Sequence, residues 1–206
     1  MATIYIVGAG GFGRETLDAL LASFEHVGRT LERQPTVRFV DENLAGSTVR
    51  GIDVVSLEQV ANGLYVVAIA NPEVRRRLAG VLQDKGLQPY TVVHPRAIIG
   101  PETKVAPGCV VLGGAYVSSS VTLAEHVQVN YNATVGHDAV LETYVTVLPG
   151  ANLAGATKIQ FGATIGSNAC VLQGLTVGAG STVGAGAVVT NDVPKRIVAK
   201  GVPARW

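Results

Sequence analysis

Residues 129–155 read VNYNATVGHDAVLETYVTVLPGANLAG, and the aliphatic residues Val129, Val135, Leu141, Val147 and Leu153 fall six apart. The same step runs upstream to Val93 and downstream to Val189, and all seventeen positions on the grid are Ile, Leu or Val. An internal repeat this regular outranks every other pattern in the chain. Four residues after the aliphatic one, the side chain is mostly small, as at Cys109, Ala115, Ala133, Ala139, Ala151, Ala163, Ala169, Ser181 and Ala187. Glycine often follows the aliphatic residue directly, as at Gly100, Gly136, Gly166, Gly178 and Gly184.

Six residues make one short strand and one turn. Three such units close a triangular coil with the aliphatic side chains stacked inside and the small residues near the corners. Neighbouring coils then lie about 4.8 Å apart, the ordinary inter-strand spacing. The hexapeptide pattern predicts a left-handed parallel β-helix, an exception to the right-handed crossover rule. It occupies residues 91–206, with between five and six coils from Val93 to about Asn191. Within residues 93–189 only Arg96, Glu102, Lys104, Glu125, Asp138, Glu142 and Lys158 are charged. Flat faces so poor in charge would expose apolar sheet, which predicts self-association, with a homotrimer as the natural closed form.

Residues 1–90 alternate strand and helix periods, the mark of a small Rossmann-like α/β domain. Strands are expected at Ile4–Val7, Val37–Val40 and Leu64–Ala70, with a short segment near Ile52–Val55. Helices are expected at Arg14–Ser23, at about Ser56–Ala61 and at Pro72–Lys85, the last capped by Asn71 and ended by Gly86. The fold class is therefore α/β followed by β. Between the first strand and helix lies Gly8-Ala9-Gly10-Gly11-Phe12-Gly13, a G-x-G-x-x-G run in strand–turn–helix context. Such glycines let backbone N–H groups approach a phosphate at a helix N-terminus. A domain of only three or four strands with no hydride-transfer partner argues for a mononucleotide or diphosphate ligand over a redox dinucleotide. A tight turn without ligand is the remaining reading. Asp41, ending the second strand, stands where a carboxylate would face a sugar or base, or simply water.

The 206 residues carry 16 Lys+Arg against 15 Asp+Glu, which leaves no basic footprint for nucleic acid or an anionic membrane. No apolar run approaches the ~18–20 residues of a membrane span. The opening strand has no basic stretch before it and no cleavage site, so no secretory leader and a cytoplasmic location are expected. The two cysteines, Cys109 and Cys170, sit in apolar repeats and read as buried thiols.

Of the four histidines, His26 reads as a surface group, His94 as a linker residue and His126 as an exposed face residue. His137 stands apart, in Val135-Gly136-His137-Asp138 at a coil corner, with Asn130 and Asn132 one hexapeptide earlier. An imidazole beside a carboxylate suits a general base. Sequence neighbours need not touch, so Asp138 could instead only add negative potential. A zinc site of three histidines shared between subunits lacks its third ligand, so no metal is expected.

Taken together, Ile6–Glu15, Gly136-His137-Asp138, Pro149–Gly155, Gly184–Val189 and Gly201–Arg205 resemble the PglD/NeuD-type sugar acetyltransferases of bacterial surface-glycan pathways, along essentially the whole chain. The resemblance implies a nucleotide-linked amino sugar on the N-terminal domain and acetyl-CoA as co-substrate between neighbouring β-helices. It implies His137 as general base, Asp138 as its assistant and the Gly155 amide as oxyanion donor. Gly155, Gly166, Ser167 and Ala185 would line the coenzyme. Gly10, Gly11, Phe12, Gly13, Arg14, Asp41 and Asn71 would line the nucleotide pocket, and Asn130 would face the sugar. Several members have His where this chain has Phe12, and some have a second His where it has Thr146, both bearing on which sugar is used. Sugar O-acetylation and a non-catalytic trimeric scaffold that binds nucleotide sugars are the alternatives. The nucleotide could be UDP, GDP or dTDP.

Overall fold

The computed structural model describes residues 3–28 and 35–206. The first part is a sheet with a helix on each face. Its elements are β1 (Thr3–Val7), α1 (Gly11–His26), β2 (Thr36–Val40), β3 (Thr48–Val49), β4 (Ile52–Val55), β5 (Leu64–Val67), α2 (Pro72–Asp84) and β6 (Gln88–Pro89). The order across the sheet is β3-β4-β2-β1-β5-β6, with only β3 antiparallel to its neighbour. The apolar β1 and β5 are buried on both faces, as in a sheet covered by helices. Ile4, Ile6 and Phe39 pack with Leu17 and Leu20 of α1, while Tyr5, Val7 and Tyr65 pack with Ala79 and Leu82 of α2.

Three expectations for this part are corrected. Ser56–Ala61 is a single turn and not a helix, although side chains accept from its first amides as caps would. The Ser56 N–H donates to the Gln59 side-chain oxygen (2.8 Å) and the Leu57 N–H to the Glu42 carboxylate (2.7 Å), and a short helix cannot repay its nucleation cost. The strand from Leu64 stops at Val67 and not Ala70, since the Ile69 and Ala70 carbonyls turn to the Arg75 guanidinium at 2.7 and 3.0 Å. Helix α1 begins at Gly11, three residues earlier than expected. Asn71 caps α2 as expected, its Oδ1 accepting from Glu73 N (3.0 Å) and Val74 N (3.1 Å).

From Val92 the chain winds into the left-handed β-helix, with three parallel sheets of seven, six and five two-residue strands. Partners lie eighteen residues apart, as in Val111–Val129–Val147–Ile165–Val183. The last pairing shortens, Val183 meeting Ala199. The aliphatic grid from Val111 to Val189 is buried inside the prism, together with the small residues from Cys109 to Ala187.

The two parts share a core. Val92, Val110 and Leu112 of the first coils pack with Leu17, Leu20 and Phe39, and Phe12, Tyr90 and Tyr131 close its edge. Arg75, fully buried, joins the two parts with polar contacts. It donates to the carbonyls of Ile69 and Ala70 on one side and of His126 (3.0 Å), Tyr144 (2.6 Å) and Val145 (3.3 Å) on the other. It also donates to the Gln128 side chain (2.9 Å) and the Thr146 hydroxyl (2.9 Å). The Thr146 hydroxyl in turn donates to the Ala70 carbonyl (2.9 Å), and Gln128 donates to Val67 O (2.9 Å).

His126 corrects the reading of an exposed face residue, because the first part covers it. Its ring is fully buried and lies parallel to Tyr144, 5.0 Å between centres, with Tyr65 also stacked at 6.0 Å. Cys109 is buried as expected, and burial pushes its thiol up to about 12. Cys170 is only half-buried, because it occupies the outward position of its strand while Val171 points inward. His26, the last residue of α1, is exposed as expected.

Candidate active site

The His137 corner joins strand Thr134–Val135 to strand Val140–Leu141. Asp138 takes the left-handed backbone conformation there (φ +60°), which turns the chain sharply. Its N–H donates to Ser119 O one coil below (3.2 Å), and His137 O accepts from Ala156 N one coil above (2.7 Å). Both backbones are thus fixed by the ladder. The side chains do meet, Nδ1 of His137 lying 2.7 Å from Asp138 Oδ2. An ionised carboxylate can only accept, so the proton sits on Nδ1 and Nε2 carries the free lone pair.

Gly155 stacks directly above this ring. A Cβ at Gly155 would come within 2.5 Å of His137 Nε2, and one at Gly136 within 2.5 Å of Gly155 N. Only two glycines allow this approach, which sets the Gly155 backbone beside the basic nitrogen. Among the described residues the Gly155 N–H donates to no group of the chain. The corner is open, with the His137 side chain 56% exposed.

Gly166, Ser167 and Ala185 cluster at a different corner, after strand Thr164–Ile165. A Cβ on Gly166 would lie 2.5 Å from Ala185 N, and Gly186 N donates to Ser167 O (2.9 Å). Within one chain these residues stand across the sheet face of Asn152 and Cys170 from His137 and Gly155. Asn130 is buried and donates its amide to Val147 O (3.1 Å), so its Nδ2 is already used inside the chain. Thr146 belongs to the Arg75 network.

In the first part, Gly13 lies so close to Gly8 O that a Cβ would collide with it at 1.9 Å. Helix α1 therefore sits tight on the end of β1. Gly10 is its N-cap and offers no side-chain acceptor, while nothing stands within 4 Å of a Cβ at Gly10 or Gly11. That leaves open space beside the helix start, where an N-terminus can receive phosphate. Arg14 is exposed in the first turn. Phe12 packs into the shared core beside Tyr131. Asp41 holds the loop, its carboxylate accepting from Ala9 N (3.2 Å) and Asn43 N (3.1 Å). The side-chain oxygen of Asn71 is taken by the α2 cap.

A cleft of about 290 Å³ opens at the carboxyl ends of β1, β2 and β5, between Gly8, Asp41, Glu42 and Asn43 on one side and Ile69 and Arg77 on the other. Sequence reasoning placed Asp41 there but missed its neighbour Glu42, and it missed Arg77, which only the packing of α2 against the sheet brings in. It also missed Arg75. No local pattern separates Arg75 from Arg76 and Arg77; helix phase alone buries the first. Among the described residues no cluster of metal-ligating side chains forms, and no helix is long and apolar enough to cross a membrane.

The PglD N-terminal domain family matches residues 3–82. The GDP-perosamine N-acetyltransferase of Escherichia coli O157:H7 is 34% identical over 210 residues, which span 97% of this chain and 94% of that protein. The acetyltransferase domain of PglB from Neisseria gonorrhoeae, solved in complex with acetyl coenzyme A, superposes with a TM-score of 0.89 at 32% identity, over 99% of this chain and 98% of that one. A histidine-to-asparagine variant of perosamine N-acetyltransferase from Caulobacter crescentus, in complex with CoA and GDP-perosamine, gives a TM-score of 0.88 at 27% identity, over 100% and 96% of the two chains. The likeness thus runs along the full length, and the chain belongs to the PglD-type sugar acetyltransferases, hexapeptide-repeat acyltransferases with a Rossmann-like N-terminal domain.

Proposed function

We propose that this protein moves an acetyl group from acetyl-CoA to the amine of a nucleotide-linked amino sugar, with His137 as general base. The observation that carries this reading is the 2.7 Å contact between His137 Nδ1 and Asp138, which leaves Nε2 basic and beside the Gly155 amide. The neutral amine attacks the thioester carbonyl and Nε2 takes the proton it sheds. The C–S bond breaks, and the imidazolium returns that proton to the leaving thiolate. The Gly155 N–H faces the oxygen on which charge collects, a donor type worth about 3 kcal/mol. Asp138 steadies the imidazolium during the transfer.

One chain offers only half of this site, since Gly166, Ser167 and Ala185 lie on another corner and His137 stands exposed. A homotrimer would bring the coenzyme-lining corner of one copy beside the His137 corner of the next. On this reading the reaction runs in the cytoplasm, where acetyl-CoA and nucleotide sugars are made, and serves surface-glycan synthesis.

Release of free thiol from acetyl-CoA, followed with UDP-, GDP- and dTDP-linked 4-amino sugars, tests the reading. Release only with hydroxyl acceptors would make the protein an O-acetyltransferase. No thiol release with any acceptor would leave a binding scaffold. Unchanged turnover in His137→Ala would remove His137 as the base, whereas loss of roughly 10²-fold or more is expected for a missing general base.

A further inference from the structure

The prism has three faces, and the N-terminal part covers one of them, burying Val92, Val110, Gln128 and Thr146. Of the two open faces, one carries Lys104 and Lys158 among its outward residues. The other presents Ile98, Tyr116, Thr134, Asn152, Cys170 and Val188, with no charge among them. Ile98 (54% exposed) and Tyr116 (47%) are ladder neighbours and make an apolar patch at the foot of this face. One edge of the same face is the His137 corner and the other is the Gly166–Ala185 corner. Beside the apolar patch the two edges carry complementary charge. The first coils of one edge hold a hollow of about 290 Å³, where His94, Arg96, Tyr131 and Asn132 stand around Gly113 and Gly114. His94 accepts the Arg96 N–H on Nδ1 (2.9 Å), which leaves its ring proton on Nε2 as a donor. Arg96 is exposed, and among the described residues its guanidinium makes no hydrogen bond and no ion pair. The opposite edge of that coil carries Glu102, exposed at a left-handed corner (φ +62°) and steadied by the Ser120 hydroxyl (2.8 Å).

We propose that Arg96 pairs with Glu102 of a second copy of this chain and that this contact sets the register between copies. The two edges of one face meet between copies when that face turns to the axis of a ring, and the covered face bars the reverse arrangement. The contact joins two different patches, so it stays finite only because the ring closes. With the coils parallel to the axis, each coil faces the same coil of the next copy. Arg96 then meets Glu102, and the Tyr131–Asn132 corner meets His137. Ile98 and Tyr116 gather about the axis as an apolar centre, with the ion pair on the rim, the ordinary anatomy of a protein interface. A slip of one coil would set Arg96 against Ser120 and leave both charges unpaired, so the pair opposes misalignment of His137 with the coenzyme-lining corner. The pairing rests on the homotrimer of the transferase reading above.

Sedimentation of the full chain gives its size, and the rate of subunit exchange between tagged and untagged protein at low salt, followed by native mass spectrometry, reads the contact. The wild type is expected to be a trimer. Arg96→Glu and Glu102→Arg each place like charges at every contact of the ring. Either should speed exchange roughly 10- to 100-fold, since exposed pairs are worth a few-fold each and all contacts of the ring act together. Glu102→Gln, which keeps an acceptor for Ser120, should speed it less. The double variant Arg96→Glu/Glu102→Arg restores opposite charges and should return exchange to near the wild-type rate, which a purely local role for either side chain would not do. Both residues are exposed, so all variants should keep the wild-type circular dichroism. Wild-type exchange in both single variants, or no recovery in the double variant, would overturn the pairing and leave the trimer and the acetyl transfer standing. A monomeric wild type would overturn the pairing together with the shared site.

Discussion

Gly155 and His137 stand one coil apart with no room between them for a methyl group, 2.5 Å separating a would-be Cβ from Nε2. The ladder that stacks the coils therefore sets a backbone amide beside the basic nitrogen at a fixed height. The same ladder bond, Ala156 N to His137 O at 2.7 Å, locks the vertical offset.

Gly155→Ala should displace the imidazole from the corner while leaving the prism intact, because the ring is exposed and free to swing away. We expect kcat to fall roughly 10-fold or more, with the KM for acetyl-CoA changed less and the melting temperature nearly unchanged, since the lost interaction acts in the transition state. A drop in melting temperature with kcat preserved would contradict this.

Asp138→Asn keeps the shape but offers an amide whose NH₂ end can hold the wrong imidazole tautomer. Turnover should fall by roughly 10-fold or more while nucleotide binding is retained, measured by steady-state kinetics beside titration with the nucleotide.

Arg75 is a buried cation whose partners are mainly carbonyls from both parts of the chain. Arg75→Ala leaves those acceptors without donors and should destabilise the N-terminal part by about 3 kcal/mol or more. Calorimetry should then show an earlier, separate transition, with the β-helix melting later. Coincident melting at the wild-type temperature would show that the apolar contacts alone hold the two parts together.

His126 is buried against two tyrosines, and desolvation together with the nearby Arg75 charge brings its pKa down to about 4. Its folded pKa lies below the unfolded value of about 6.5, so the unfolded chain binds the extra proton in this window. The stability is complete above about pH 6.5 and is lost as pH falls toward 4, by an amount of the order of 3 kcal/mol. Urea midpoints at pH 7 and 5 should differ for the wild type. The difference should shrink in His126→Asn, a residue that accepts the left-handed backbone found there (φ +58°).

Much of this was legible in the chain itself. The six-residue grid from Val93 to Val189 determined the β-helix, because a period that regular leaves the aliphatic side chains one place to go, the inside of the prism. The Asn71-Pro72 pair determined where α2 starts, since capping acts over a few residues, while the Gly8–Gly13 run marked the turn before α1 but not its first residue, Gly11. His137 and Asp138 were visible as neighbours because the corner that joins them is part of the repeat.

What tertiary structure decided lies where distant segments meet. Buried Arg75, the enclosed ring of His126, the use of Thr146 as a bridge to Ala70 and the opposition of Arg77 to Asp41 all arise from how α2 and β5 sit on the coils. Three consecutive arginines are alike in sequence. Helix phase and the surface packed against it give Arg75 a buried, fully bonded role and Arg77 an open one, because burial and hydrogen bonding depend on partners fifty to seventy residues away.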